Sequence, residues 1–218
     1  MHVCQVEAEF AVTEVDGIVK RTLEDFCSEF LSHPYLCYTE HGLHALFYSR
    51  LLGNIPISGR SIRVGGKDIC VVQKEYPMID KQNESKRAHW DVAVLDDIQT
   101  PEGKNWYDTL RLNSVIEFGL NEGIDHLKRD VQRLSHGKSG TKQGYVVHLH
   151  RFSRSVTRRD WVREHDKSDA VKSIDDILRD EGKNVTAYFA VVDGVRGTRG
   201  GPWRLDGRSE PLLVKERQ

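Results

Sequence analysis

Two carboxylates interrupt stretches of the sequence that are otherwise apolar and typical of β-strands. Glu117 lies within the run 114–120, and Asp91 lies near the start of the run 90–95. An unpaired charge inside a strand costs several kcal/mol, so such a residue is rarely kept for stability. We expect the two strands to place Asp91 and Glu117 side by side. Two convergent carboxylates at strand ends predict a site for a divalent metal.

A third carboxylate, Glu40, lies at the predicted start of a helix. Thr39 is a favourable N-cap residue, and apolar residues follow it at helical spacing as far as Leu51. A carboxylate in the first turn also complements the helix dipole, and this structural account of Glu40 would suffice alone.

The rest of the pattern predicts the helices and strands that would position these carboxylates. Near the N-terminus, Asp16 is the expected N-cap of a helix that His33-Pro34 ends. Gly65-Gly66 predicts the turn of a hairpin over 61–76, and the glycine-rich segment 196–201 is expected to be a loop. Later elements are predicted as a helix with Ile124, Leu127, Val131 and Leu134 inward, a strand over 145–150, a helix over 172–179 and a strand over 185–192.

This order of elements favours an α/β fold with a central mixed β-sheet flanked by helices. No linker long enough to divide the chain is present, so a single domain is expected over 1–218. Within it we expect an N-terminal extension (1–38), a core (39–150) and a C-terminal extension (151–218) that adds a helix and a strand.

The composition is typical of a soluble globular protein, with 38% hydrophobic residues, 30% charged residues and a formal net charge of −1. No apolar run is long enough for a membrane helix, and Glu7 and Glu9 lie where a signal peptide would be apolar. We therefore expect a cytoplasmic protein without a membrane partner. The four cysteines lack C-x-x-C spacing, which favours buried thiols over disulfides or a zinc site.

The order of these residues and elements resembles the PD-(D/E)XK nuclease superfamily, whose members have restriction-endonuclease-like folds. The resemblance covers roughly residues 39–150. It rests on the helix with Glu40, on Asp91 in His-Trp-Asp-Val, on Glu117 in Val-Ile-Glu-Phe-Gly, and on a following helix with Lys128 and Gln132. It implies a core of the order αβββαβ. It also implies that Asp91 and Glu117 are catalytic ligands of Mg²⁺ or Mn²⁺, and that Glu40 supports the cluster through a water.

In that superfamily a lysine two positions after the glutamate orients the attacking water. This chain has Gly119 there, and the resemblance implies that Lys128 on the next helix supplies the cation instead. The implied function is metal-dependent hydrolysis of phosphodiester bonds in DNA, because a carboxylate-held metal activates water and neutralises the phosphate. One alternative is an inactive nuclease-like domain that binds nucleic acid or protein. Another is that Glu117 belongs to a buried ion pair with Lys128 or Arg129 and holds no metal.

A basic cluster follows the predicted strand 145–150. Arginines interleaved with aromatic residues are suited to contacts with a nucleic-acid backbone and its bases. Nearby acidic residues dilute the charge, so a solvated face is an equal alternative. The candidate nucleic-acid-binding residues are Arg151, Arg154, Arg158 and Arg159.

His148 and His150 lie two apart on the same predicted strand and share a face, which suits metal ligation. No third ligand with characteristic spacing accompanies them, so histidines on an edge strand are the favoured interpretation.

The N-terminal region offers a further alternative, in which the protein is a structural or regulatory subunit. Residues 1–35 would then form a dimerisation element, and a homodimer through this region is a prediction.

Overall fold

The computed structural model describes residues 12–78, 89–96, 99, 110–136, 141–152 and 167–214. Its helices are α1 (Val12–Ser32), α2 (Glu40–Asn54), α3 (Ile124–Ser135) and α4 (Lys167–Glu181), with a turn of 3-10 helix at Ile57–Gly59. Its strands are β1 (Ser61–Val64), β2 (Lys67–Cys70), β3 (Val72–Pro77), β4 (His89–Leu95), β5 (Leu112–Leu120), β6 (Thr141–Phe152), β7 (Val185–Asp193), β8 (Thr198–Leu205) and β9 (Leu212–Leu213).

Seven strands form one mixed sheet in the order β3-β4-β5-β6-β7-β8-β9. β3, β4 and β5 are antiparallel neighbours, β6 is parallel to both β5 and β7, and β8 and β9 continue antiparallel. The fold is therefore α/β with a mixed sheet flanked by helices, as predicted. From α2 to β6 the elements follow the predicted order αβββαβ, apart from the small separate sheet of β1 and β2.

Helices α1 and α2 cover one face of the sheet, and α3 and α4 cover the other. Successive residues of a strand point to opposite faces, so each strand contributes to two apolar cores. In β5, Ile116 and Phe118 pack with α1 and α2, whereas Val115 packs with α3 and α4. The same alternation places Glu117 on the face covered by α3.

The apolar stripe of α1 is buried within the molecule. Val19 and Leu23 are completely buried, and Phe26 makes edge-on ring contacts with Phe47 of α2 and Phe118 of β5. This face of α1 is thus covered by the chain's own sheet and by α2. Dimerisation through the N-terminal region stays a prediction, and residues 1–11 lie outside the described part of the chain. None of the described helices is both long enough and apolar enough to span a membrane.

The capping and helix-breaking residues predicted some helix ends correctly and one wrongly. Thr39 caps α2 as predicted, with its Oγ1 accepting from the N–H of Gly42 at 3.1 Å, and α1 ends directly before His33. Asp16 does not cap α1, because the helix already includes Val12. Its carboxylate instead accepts from the Tyr145 hydroxyl and pairs with Lys20.

Two strand predictions also need correction. The turn at Gly65-Gly66 is present, with φ of 55° and 79°, but the predicted hairpin over 61–76 is divided between two sheets. β2 ends at Cys70, and β3 begins at Val72 in the main sheet. The sequence did not predict this break because the apolar run continues through it. The segment 196–201 is only partly a loop, since β8 begins at Thr198 and its backbone groups pair with β7. The C-terminal region therefore adds three strands to the sheet rather than one.

Candidate functional site

The pairing of β4 and β5 stops before one end of the strands, and two carboxylate side chains lie where the ladder ends. Their last paired residues there are Val92 and Ile116. Beyond this point the N–H of Phe118 donates to Oδ2 of Asp91 at 2.8 Å, and the N–H of Leu120 donates to Oε2 of Glu40 at 2.9 Å. The carboxylates therefore satisfy backbone donors that a continued ladder would have paired. We call Glu40, Asp91 and Glu117 the carboxylate fork.

Glu117 is the buried member of the carboxylate fork, at 3% exposure. Burial raises the pKa of Glu117 well above its ordinary value, and the neighbouring carboxyl groups of Asp91 and Asp130 raise it further, against the opposing effect of Arg133. Asp91 and Glu117 are thus neighbours, as the sequence predicted. Burial raises the pKa of Glu40 too, and Asp91 adds to that effect while the Leu120 N–H opposes it.

The cation beside Glu117 is Arg133. Its Nη2 lies 3.0 Å from Oε1 of Glu117 and 2.8 Å from Oδ1 of Asp130, and its guanidinium lies over the ring of Trp90 at 5.6 Å. Arg133 therefore compensates part of the negative charge of Glu117 while stacked on an aromatic face. The sequence interpretation did not identify this residue.

Lys128 lies elsewhere than predicted. Its Nζ is 3.0 Å from Oε1 of Glu181 on α4, and its side chain is about half exposed. Since Arg133, and not Lys128, lies at ion-pair distance from Glu117, the predicted position of Lys128 beside Glu117 needs correction. Lys128 faces α4 because it stands one residue after the inward-facing Leu127, on a different side of α3 from Arg133.

A second polar cluster lies beside Glu117 between α3 and β6. His126 and Asp130 stand one helical turn apart on α3, and Nδ1 of His126 is 3.0 Å from Oδ2 of Asp130. Nε2 of His148, on β6, is 3.7 Å from the same oxygen. The three ligand atoms all lie within 4.8 Å of one another. We call these residues the histidine cluster.

The histidine cluster is strongly polarised. Burial would raise the pKa of Asp130, but its interactions with His126 and His148 outweigh burial and hold that pKa below its ordinary value. The hydrogen bond with Asp130 raises the pKa of His126 despite partial burial. Burial lowers the pKa of His148, which is completely buried. Both ring nitrogens of His148 lack a hydrogen-bond partner among the described residues.

His148 explains the absence of a side chain at position 119. The two residues are partners in the parallel pairing of β5 and β6. A Cβ added at Gly119 would lie 2.6 Å from Nε2 of His148 and 2.7 Å from its Cε1, which no relaxed packing allows. The imidazole therefore fills the space into which the lysine implied by the resemblance would extend.

The favoured interpretation of His148 and His150 as edge-strand residues was wrong. β6 is the middle strand of the sheet, and both histidines are completely buried. Further possible ligands lie on α3, whose His126 and Asp130 the sequence interpretation did not assign to a site. Their spacing of four residues, which places both on one helix face, was a signal that could have found them.

A second compact set of possible ligands lies on the opposite face of the sheet, at α2 and β3. It consists of His41, His44 and Glu75. Nδ1 of His41 and Nε2 of His44 are 2.8 Å apart, so the two rings already pair with each other. Glu75 accepts from Lys74 at 3.2 Å and has a φ of 55°, a strained conformation for a glutamate. We call these residues the surface histidine set, after the exposed His41 and Glu75; the ring of His44 is itself buried.

Arg151 does not lie at an open basic surface. It is 6% exposed, and its guanidinium donates to the carbonyls of Pro34, Cys37 and Tyr38. The prediction of a nucleic-acid contact is therefore corrected for Arg151, whose donors hold the segment before α2. Of the other predicted nucleic-acid contacts, Arg154, Arg158 and Arg159 lie outside the described residues.

No protein-family model matches the chain, and no curated protein or solved structure matches it either. The resemblance to PD-(D/E)XK nucleases therefore rests on the residues and element order of this chain.

Proposed function

We propose that the protein is a metal-dependent nuclease that hydrolyses phosphodiester bonds in DNA. One observation carries the proposal: Glu40 and Asp91 accept from backbone N–H groups where the β4–β5 ladder opens, and the carboxyl group of Asp91 raises the pKa of both Glu40 and Glu117. Residues that are 77 positions apart in sequence, Glu40 and Glu117, thereby reach one end of the sheet.

The donor set fits Mg²⁺ or Mn²⁺. Asp91 and Glu117 offer carboxylate oxygens, which hard divalent cations prefer, and Glu40 approaches the same opening from the N-terminus of α2. When bound, such an ion neutralises charge on the scissile phosphate and activates water for attack. Asp91 and Glu117 would hold the ion, and Glu40 would support the cluster.

Arg133 takes the role that the sequence interpretation gave to Lys128. Its guanidinium already lies at Glu117 and presents several donors in a fixed plane, which suits a phosphate oxygen. The ring of Trp90 beneath it restricts where the guanidinium can move. We assign Arg133 the task of steadying the negatively charged substrate. DNA is the proposed substrate because Arg154, Arg158 and Arg159 follow β6 directly in sequence.

The test compares the wild type with an Asp91→Ala, Glu117→Ala double variant. Binding of Mg²⁺ or Mn²⁺ is measured by calorimetry, and nicking of plasmid DNA is followed in the same samples. The proposal expects both binding and nicking in the wild type and neither in the double variant, with the fold retained by circular dichroism. Nicking by the double variant would rule out this mechanism.

One observation favours a second function, a nuclease-like domain that binds nucleic acid without cleaving it. The space beside Gly119 is filled by the His148 ring, so no lysine can extend from that position. Under this alternative the wild type binds DNA and leaves it intact at every Mg²⁺ concentration. Retention of labelled DNA in a filter-binding assay, run beside the nicking assay, separates the two functions.

A further inference from the structure

We infer that His126, Asp130 and His148 form a binding site for a divalent transition metal of the Zn²⁺ class, distinct from the carboxylate fork. The inference does not rest on the proposed hydrolysis, because the site would take its metal whether or not DNA is cleaved.

The geometry of the three donors suits one small cation. Zinc bonds to imidazole nitrogen and to carboxylate oxygen are about 2.1 Å long, so ligand atoms around one ion lie roughly 3.0–3.4 Å apart. Here Oδ2 of Asp130 is 3.0 Å from Nδ1 of His126 and 3.7 Å from Nε2 of His148. A slight inward movement of His148 would complete the set.

The burial of His148 points to a ligand. An unpaired polar group inside a protein is destabilising, and both nitrogens of this completely buried ring lack a hydrogen-bond partner among the described residues. The distance of 3.7 Å to Asp130 is too long for a hydrogen bond. A metal bound at Nε2 of His148 would give this nitrogen a strong bond in place of the missing hydrogen bond.

The surroundings of the histidine cluster already fix its ligands. Arg133 donates to Oδ1 of Asp130 at 2.8 Å and so leaves Oδ2 directed at the two histidines. Such outer contacts orient ligands and raise metal affinity. Gly119 keeps the space that the His148 ring needs. Two of the three donors come from one turn of a helix and the third from the central strand, so regular secondary structure holds all three backbones.

The donor types select the metal. Two imidazoles and one carboxylate suit Zn²⁺, Fe²⁺ or Co²⁺, whereas Mg²⁺ prefers oxygen. Three protein ligands also leave a position open, as in catalytic rather than structural zinc sites. The surface histidine set is the weaker candidate, since its two rings pair with each other and the side chain of His41 is 82% exposed.

The first experiment titrates the full chain, freed of metal by a chelator, with Zn²⁺ alone and follows binding by calorimetry. We expect one equivalent to bind to the wild type. The His126→Gln and Asp130→Asn variants should each lose affinity by about tenfold or more. The matched control is His41→Gln, an equally conservative change on a helix, which should leave zinc affinity unchanged. The Asp91→Ala, Glu117→Ala variant should also retain zinc.

A second measurement follows the histidine rings themselves. In wild type labelled with ¹⁵N-histidine, Zn²⁺ should shift the ring signals of two histidines, and one of these is absent from His126→Gln. Gly119→Ala keeps every ligand but pushes against the His148 ring, and should weaken zinc binding as well. Shifts confined to His41 and His44, unchanged affinity in His126→Gln, or no binding by the wild type would each overturn the inference.

Discussion

The carboxylate fork and the histidine cluster share Arg133 but are built in different ways. The fork collects oxygen donors at the open end of the sheet, where two of its carboxylates also hold backbone N–H groups. The histidine cluster places nitrogen and oxygen donors between a helix and the central strand, and two of its members are at most 2% exposed. The two proposals together would give one sheet neighbouring sites for a hard and for a borderline cation.

The two sites also differ in how their negative charges are compensated. In the fork, Arg133 already supplies a positive charge to Glu117. In the histidine cluster, His126 supplies it to Asp130, while both ring nitrogens of His148 lack a hydrogen-bond partner among the described residues. The charge of the fork is thus partly compensated by Arg133, whereas the cluster contains a buried imidazole without such a hydrogen bond.

The largest effect is expected from Asp91→Asn. The amide keeps an oxygen for the Phe118 N–H but loses the charge, so DNA nicking should fall by roughly a thousandfold while zinc affinity is unchanged. Asp130→Asn is the matched partner, a change of the same kind in the other site. Nicking rates and zinc isotherms of both variants should separate the sites, and equal losses of zinc affinity in the two variants would merge them into one.

The next effect is on stability. Arg151→Ala removes a buried guanidinium that donates to three carbonyls before α2, and should lower the free energy of unfolding by about 3 kcal/mol. Urea denaturation measures the change, with Arg63→Ala in the exposed hairpin as the control. Because the segment before α2 leads into Glu40, the nicking rate should fall more than the zinc affinity. A loss no greater than that of the control would show that the segment needs no anchor.

A smaller effect is expected where the two sites meet at position 119. Gly119→Lys forces the His148 ring aside and should cost about 1–3 kcal/mol of stability. In a His148→Ala background the same lysine gains space, so the two changes should be less destabilising together than the sum of each alone. Urea denaturation of the four proteins in this cycle gives the coupling. Strict additivity would mean that the ring does not occupy the space of the missing side chain.

The smallest effect is expected from Lys128→Ala. Its contact is a partly exposed ion pair with Glu181, so unfolding should change by less than about 1 kcal/mol. Nicking and zinc affinity should stay within twofold of the wild type. Glu181→Gln serves as the control for the ion pair, and a marked loss of nicking specific to Lys128→Ala would restore Lys128 to the carboxylate fork.

Much of the fold follows from patterns that act over short distances. The cap at Thr39, the end of α1 before His33, and the apolar face of α3 with Leu127 and Val131 were all legible in the sequence. The interruption of an apolar run also identified Glu117 without any knowledge of its neighbours. Its position beside Asp91 then followed from antiparallel pairing of consecutive strands.

The residues of the site that the sequence did not predict are placed by contacts between elements that are distant in sequence. Arg133 reaches Glu117 because α3 docks at a particular angle, which no local pattern specifies. His148 lies beside Gly119 through the parallel register of β5 and β6, and a shift of one residue would turn its ring to the other face. Arg151 was predicted to contact nucleic acid because its charge is visible in the sequence. The carbonyl groups that its side chain reaches are not.

The central position of β6 has a consequence for how the molecule opens. β6 is paired along both edges, and its segment from Gly144 to His150 is entirely buried. Backbone amides in such a strand exchange with deuterium chiefly when the whole domain unfolds, whereas the fork at the β4–β5 opening belongs to a less protected part. Local unfolding near the β4–β5 opening would displace Glu40 and Asp91 first. His148 would stay in position during such fluctuations, even when the carboxylate fork is disrupted.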